Sequence, residues 1–304
     1  MINRRQLISK GSGLALGSSL LHPIQATPQE LKKLELIELG KSGIKTSRLA
    51  QGTGTRGGGR HSNQTRPGFQ HFVKLMQHAY DRGVRLFDLA DQYGSHIYFR
   101  EALRHIPREE ITILSKVQYR LDGKKPQDMS PSEQRQFAKN ALERFRSELK
   151  VDVIDIMLMH NMTTEKWDEE LAGYIEVLQE YQQAGKIKAI GMSCHTLPAL
   201  KRATELDWMN VALTRINPYG KIMDGPPEEV MPIQRKFKQK GVGVIGMKIY
   251  GAGKLLDKKD ECMRFAQGLD YLDSMTIGST STEEIDENIR LMQKYPHRLT
   301  NSVK

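Results

Sequence analysis

Four polar residues stand at or just beyond the ends of apolar runs: Asp88, Tyr93, Lys116 and His160. Asp88 closes "GVRLFD" (83–88), and Tyr93 follows it in a loop that breaks at Gly94. Lys116 closes "ITILSK" (111–116) and His160 closes "VDVIDIMLMH" (151–160). A phenol has an ordinary pKa of about 10, too high to trade protons readily at neutral pH. An ammonium beside it favours the phenolate, and a carboxylate keeps that ammonium charged and in place. An imidazole nearby can donate a hydrogen bond to a carbonyl oxygen. Together the four groups can polarise a carbonyl and protonate it while a hydride arrives from elsewhere. A placed general acid contributes roughly 10²–10⁴ in rate, and oriented donors add electrostatic stabilisation.

Singly, each residue has an ordinary structural use. Asp88 could cap the following helix, Lys116 could extend to solvent, and His160 could be a satisfied core histidine. Their common position at strand ends is what demands an architecture. Short apolar runs recur near 48–53, 83–88, 111–116, 151–160, 187–193, 210–217, 242–248 and 271–278, separated by amphipathic helical stretches. Ser130-Pro131 opens the long helix that runs to about Leu149, with Pro at a first-turn position it tolerates. Buried strands alternating with helices call for a parallel sheet covered by helices. Eight such units predict an α/β fold of the (β/α)₈ TIM-barrel type, in which strand ends at one face carry the chemistry. "LELIELGKSGIKTSRLAQGTG" (34–54) predicts an N-terminal β-hairpin turning at 41–43 before the first barrel strand. "GTGTRGGGR" (52–60) is glycine-rich but does not open a helix at the offset of a dinucleotide fingerprint.

The 304 residues carry a formal net charge of +10, with Lys and Arg dispersed among acids instead of gathered in a block. That dispersal argues for a solvated surface and against nucleic acid as partner. The two cysteines, Cys194 and Cys262, exclude a Cys-ligated cluster or multi-Cys zinc site, and no metal centre is expected. Residues 1–26 differ from the rest: Arg4, Arg5 and Lys10 precede a weakly apolar Gly/Ser-rich stretch and then Ala26. This is the layout of a twin-arginine-type export signal. It is too short and polar for a stable membrane anchor. The expectation is a signal over 1–26, a barrel over 27–304, engagement of the twin-arginine export machinery and a periplasmic location.

Asp88, Tyr93, Lys116 and His160, in that order and on those strand ends, resemble the catalytic tetrad of the aldo-keto reductase family. The flanks agree: the hairpin segment, "VDVIDIMLMH" and "IGSTSTEEIDENI" (277–289) resemble the family's corresponding parts. The resemblance implies an NAD(P)H-dependent oxidoreductase that reduces an aldehyde, ketone or sugar carbonyl, or oxidises the alcohol. Tyr93 would be the general acid, Lys116 would lower its pKa, Asp88 would hold Lys116, and His160 would orient the carbonyl. Ser193 matches the residue that binds the nicotinamide carboxamide, with Asn217 as a second partner whose register is ambiguous. Gly251, Gly253 and Leu255, in "GAGKL", match the segment around the pyrophosphate. Gly278, Ser279, Thr280, Ser281 and Glu284 match the cofactor loop and helix start, and Glu287 and Asn288 the pair at the adenine.

Three departures accompany the resemblance. Met247 stands where an aromatic commonly stacks on the nicotinamide. Cys194 and His195 replace the more usual pair after Ser193. Glu284 stands where NADP-preferring members place an arginine, and its spacing from Ser281 also fits a capping box. The cofactor is thus NADP(H) or NAD(H), with a slight lean to NADP(H) from family habit. Arg215 points either into a barrel layer or toward the mouth, where it would bind an anionic or sugar-like substrate. The alternative to an enzyme is a nicotinamide-binding sensor or partner-binding protein on the same barrel with little turnover.

Overall fold

A two-stranded hairpin and a closed ring of eight parallel strands organise the chain. The computed structural model describes residues 31–118, 125 and 128–297, so the proposed signal lies outside the described residues. The hairpin comprises β1 (Leu36–Glu38) and β2 (Lys45–Ser47), followed by β3 (Leu49–Gly52). The chain continues through α1 (Phe69–Asp81), β4 (Leu86–Asp88), α2 (Ser95–Ala102), β5 (Thr112–Val117) and α3 (Pro131–Leu149). Next come β6 (Ile154–Met162), α4 (Trp167–Glu170), α5 (Ala172–Gln183), β7 (Ile187–Cys194) and α6 (Leu197–Ala203). It ends with β8 (Val211–Arg215), α7 (Pro227–Lys240), β9 (Gly243–Met247), α8 (Lys259–Gln267), β10 (Ser274–Ile277) and α9 (Thr282–Lys294).

Strands β3 to β10 pair in chain order, and β10 closes the ring on β3 with Ile277 opposite Gln51. Every barrel pairing is parallel. Parallel strands must be buried on both faces, and two apolar layers do this. Ala50, Leu86, Leu114, Ile156, Leu158 and Ile245 belong to the inner layer. Phe72, Phe87, Phe145, Leu178 and Phe237 belong to the layer between strands and helices.

The hairpin closes the floor. Leu39 and Ile44, which flank its turn, join the inner layer. Gly40 has φ 54°, and a β-carbon there would lie 2.4 Å from the Gly243 nitrogen, so the close approach requires glycine. The Lys41 amide donates to the Gly241 carbonyl at 2.7 Å and fixes the contact.

Local structure departs from the predicted boundaries in informative places. The second barrel strand is Leu86–Asp88; Gly83 has φ 90°, and Val84 donates back to Ala79, so residues 83–84 finish α1 instead. The fourth strand does not stop at His160 but continues to Met162, across a register shift between Met159 and Met162. Asn161 takes a left-handed φ of 65° within that irregularity. Ser130 caps α3 in a complete capping box with Glu133. No helix among the described residues is long and apolar enough to cross a membrane.

Candidate active site

The four strand-end groups meet at one mouth of the barrel. Asp88 ends β4, Lys116 lies near the end of β5, and both are buried. The Lys116 ammonium donates to Asp88 Oδ1 and, at 2.9 Å, to the Leu89 carbonyl. Thr276 Oγ1 donates to the other Asp88 oxygen at 2.9 Å, so the carboxylate is held from both sides. Lys116 Nζ lies 5.1 Å from the centre of the Tyr93 ring. The His160 ring meets Tyr93 edge-on, with centres 5.8 Å apart and planes at 87°.

Burial disfavours the charged form of Lys116, yet Asp88 and Tyr93 outweigh it and its pKa is raised. The ammonium is therefore a fixed positive charge at neutral pH. Lys116 acts on Tyr93 in the expected direction, but a larger effect opposes it. Burial raises its pKa above the ordinary phenol value, and the opposing pull of Lys116, although present, does not reverse this. Burial, with the charges of Lys116, His195 and Lys248, holds His160 well below the usual imidazole range. His160 is thus a neutral imidazole, and its Nδ1 is buried without a hydrogen-bond partner. An orphaned polar atom beside an ammonium and a phenol suits a site completed by a ligand.

Tyr93 is seated by the glycine-rich segment whose purpose sequence reasoning left open. A β-carbon at Gly54 would lie 2.4 Å from the Tyr93 ring, and one at Gly57 would lie 2.7 Å from it. Below, the three-residue turn Asp91–Tyr93 is anchored through Asp91. Arg144 donates to both Asp91 oxygens, at 2.9 and 2.8 Å, in the bidentate geometry that fixes orientation as well as charge. Glu148 ties Arg144 (3.0 Å), Arg60 (2.6 Å) and His96 (2.9 Å) into the same support.

The residues matched to a cofactor fall along one side of this mouth, with unequal freedom to bind. Ser193, near the end of β7, accepts from the Asn161 amide at 3.0 Å and keeps a hydroxyl hydrogen to donate. Asn217 is committed to its own loop and to the turn after β9. Its amide nitrogen donates to the Lys221 and Lys248 carbonyls at 2.8 and 3.1 Å, and its oxygen accepts from the Tyr219 and Lys221 amides at 3.2 and 3.1 Å. Met247 ends β9 in the inner layer. Gly251, Ala252 and Gly253 are all left-handed, and nothing lies within 4 Å of a β-carbon position at Gly253. Leu255 is buried against the strand-to-helix layer.

Gly278 admits Thr55 so closely that a β-carbon would lie 2.2 Å from Thr55 Oγ1. Ser279 accepts from Asn288 at 3.1 Å, and Asn288 accepts from Tyr250 at 2.7 Å, which makes a buried hydroxyl–amide–hydroxyl chain. Glu287 accepts from Lys259 at 2.6 Å. Ser281 caps α9 by accepting from the Glu284 amide at 3.3 Å. The return contact differs from a capping box: the Glu284 carboxylate takes the Thr280 amide (2.7 Å) and hydroxyl (3.1 Å), one residue earlier than Ser281.

Two further groups lie at this end of the barrel: Arg215, which the sequence singled out, and Lys248, which it did not. Arg215, at the end of β8, pairs with the fully buried Asp224 carboxylate at 3.3 Å. Lys248, in a left-handed conformation of φ 59°, directly follows the end of β9. Burial, then Arg215 and Lys248, drives the His195 pKa down to about 3. Burial raises the Cys194 thiol well above its ordinary value, so it is an inert core sulfur here. Among the described residues no group of three or more His, Cys, Asp or Glu could hold a metal ion.

A closed parallel barrel with titratable groups gathered at the C-terminal ends of its strands is the architecture of a (β/α)₈-barrel enzyme. Residues 48–269, more than half of the chain, match the model of the aldo/keto reductase family, and the chain belongs to that family of oxidoreductases. It is 25% identical over 225 residues to "Probable aldo-keto reductase 1" of Glycine max, spanning 73% of this chain and 61% of that one. It is 28% identical over 172 residues to the NADH-specific methylglyoxal reductase of Escherichia coli, spanning 52% of this chain and 51% of that one. The chain thus spans between half and two thirds of the length of these curated relatives. An aldo-keto reductase of Bacillus halodurans, solved in its holo form, shares the fold at a TM-score of 0.69 and 18% identity, covering 86% of this chain and 91% of that one.

Proposed function

We propose that the chain is an NAD(P)H-dependent oxidoreductase that interconverts a small-molecule carbonyl and its alcohol, with Tyr93 as general acid and base. The observation that carries this reading is the Lys116 ammonium, held by Asp88 and Leu89 and set against the ring of Tyr93. A nicotinamide nucleotide suits a spare Ser193 hydroxyl hydrogen, an orphaned His160 nitrogen and an exposed Gly253 that leaves the backbone open to close approach. When bound, the reduced nicotinamide supplies the hydride that reduces the carbonyl carbon.

The chain's own residues do the rest. Neutral His160 donates its one ring N–H to the carbonyl oxygen and orients it. Tyr93 transfers its hydroxyl proton to that oxygen, completing the alcohol. The Lys116 charge stabilises the phenolate left behind, and Asp88, steadied by Thr276, keeps Lys116 from moving toward it. In the oxidative direction the phenolate takes the proton back. Tyr93→Phe tests this reading: the variant should bind nucleotide with unchanged affinity and lose turnover across a panel of carbonyls. Wild-type turnover in that variant would overturn the mechanism.

For the nucleotide, we infer a preference for NAD(H), against the slight lean from family habit. Glu284 spends both Thr280 donors and sets a negative charge at the start of α9. A 2′-phosphate there would meet a carboxylate instead of a cation. The Escherichia coli relative is named for NADH, which agrees. Residues 1–26 are proposed to direct export by the twin-arginine route. Replacing Arg4 and Arg5 with Lys should keep the protein in the cytoplasm.

A further inference from the structure

Outside the tetrad, the mouth holds a second set of charges that the proposed mechanism does not use. Arg215 ends β8 and is the register partner of Met247 at the end of β9, so Arg215 and Lys248 emerge from neighbouring strands at the same face. The Asn217 amide grips the Lys248 carbonyl at 3.1 Å, and Lys248 itself takes a left-handed backbone conformation. The Lys248 charge is felt by Arg215, Asp88 and Lys116, and by His160 and His195. It therefore belongs to the same electrostatic neighbourhood as the reacting groups.

The charge inventory of this mouth is unbalanced. Asp88 answers Lys116, and Asp224 answers Arg215. His160 and His195 are both held neutral. Lys248 makes no ion pair or hydrogen bond through its ammonium among the described residues, although it is partly buried. Arg215 Nε is buried without a partner as well. A partly desolvated cation lacking a counter-ion is costly unless an anion joins it. The low pKa of Lys248, caused by burial and then by Arg215, expresses the same cost.

Resting on the oxidoreductase reading above, we propose that Lys248 and Arg215 form an anion subsite, so that the substrate is a carbonyl compound bearing a carboxylate or phosphate a few atoms from its carbonyl. Asp224 pairs with Arg215 through Nη1 at 3.3 Å without a hydrogen bond, and the Arg215 fork keeps donors for the anion. Charge-assisted contacts of this kind are worth about 10- to 100-fold in selectivity.

The test uses matched aldehydes with the full chain and NADH: 4-oxobutanoate against butanal, and glyceraldehyde 3-phosphate against glyceraldehyde. In at least one pair the anionic member should have the higher kcat/KM, by about tenfold or more; the pair that responds identifies the anion. Lys248→Met should collapse that ratio, chiefly through KM, while NADH affinity measured by fluorescence titration holds. Equal kcat/KM within both pairs, or a ratio unchanged by Lys248→Met, would overturn the subsite. So would a loss of NADH affinity matching the loss in kcat/KM, because Lys248 would then serve the nucleotide. Absence of turnover with every aldehyde and both nucleotides would instead sink the oxidoreductase reading itself.

Discussion

The ring of Tyr93 rests on Gly54 with no room for a side chain: a β-carbon at residue 54 would lie 2.4 Å from two ring atoms. Gly54 follows the first barrel strand and Tyr93 follows the second, so two neighbouring loops fix one hydroxyl. Gly54→Ala must push the ring aside. A displacement of about 1 Å at a reacting group can cost on the order of 10² in rate. We expect kcat to fall by that order with nucleotide affinity kept, checked by steady-state kinetics and nucleotide titration. An unchanged kcat would show that Tyr93 does not need this seat.

Asp88→Asn tests the ion pair. Removing one partner leaves the buried Lys116 ammonium without its carboxylate, which typically costs about 3–5 kcal/mol. The variant should melt at lower temperature and lose activity together. Asp88→Asn combined with Lys116→Met should recover much of the stability but none of the activity, as thermal unfolding and kinetics on the same samples would reveal.

The pH profile should be asymmetric. Tyr93 titrates above the ordinary phenol value, so carbonyl reduction, which needs its proton, should persist through neutral pH and decline only at strongly alkaline pH. Alcohol oxidation needs the phenolate and should rise with pH over the same range. His160 stays neutral well below its usual range, so no limb near pH 6.5 should appear in either direction. A bell centred near neutrality would contradict both assignments.

Glu284→Arg should move cofactor preference toward NADPH by replacing a carboxylate with a cation at the start of α9. The ratio of kcat/KM for NADPH over NADH is expected to rise by about tenfold or more, the size of one charge-assisted contact. An unmoved ratio would place the 2′ position elsewhere.

Glu148 supports the Tyr93 turn and has a predictable acid signature. Burial raises its pKa, but hydrogen bonds from His96, Arg60 and Arg144 bring it down to about 2, against an ordinary value of 4.5. A depressed folded-state pKa means stabilisation that is present above pH 4.5 and lost as pH falls toward 2. The melting-temperature gap between wild type and Glu148→Gln should therefore narrow steadily from pH 5 to pH 2.

Much of the barrel can be read from the chain because its strands are buried on both faces. They appear as short apolar runs, and the first polar residue after each run marks a strand end. Asp88, Lys116 and His160 were legible for that reason. Boundaries were less so where the backbone turns irregular. The fourth strand continues past His160 because Asn161 absorbs the register shift with a left-handed φ of 65°, and nothing in local hydropathy reports that.

Residue types and their order determined by themselves that this chain builds eight strand–helix units with an acid, a phenol, an ammonium and an imidazole at their ends. Periodicity encodes burial, and burial is a local property of each segment. The tertiary structure decided what those groups experience. The Thr276 hydroxyl on Asp88 crosses 188 residues, and Gly54 meets Tyr93 from a different loop. Burial, a property of the whole assembly, keeps the Tyr93 pKa high despite Lys116. The unpaired charge of Lys248 likewise emerges only when β8 and β9 lie side by side, because electrostatics depends on distances that chain order does not contain.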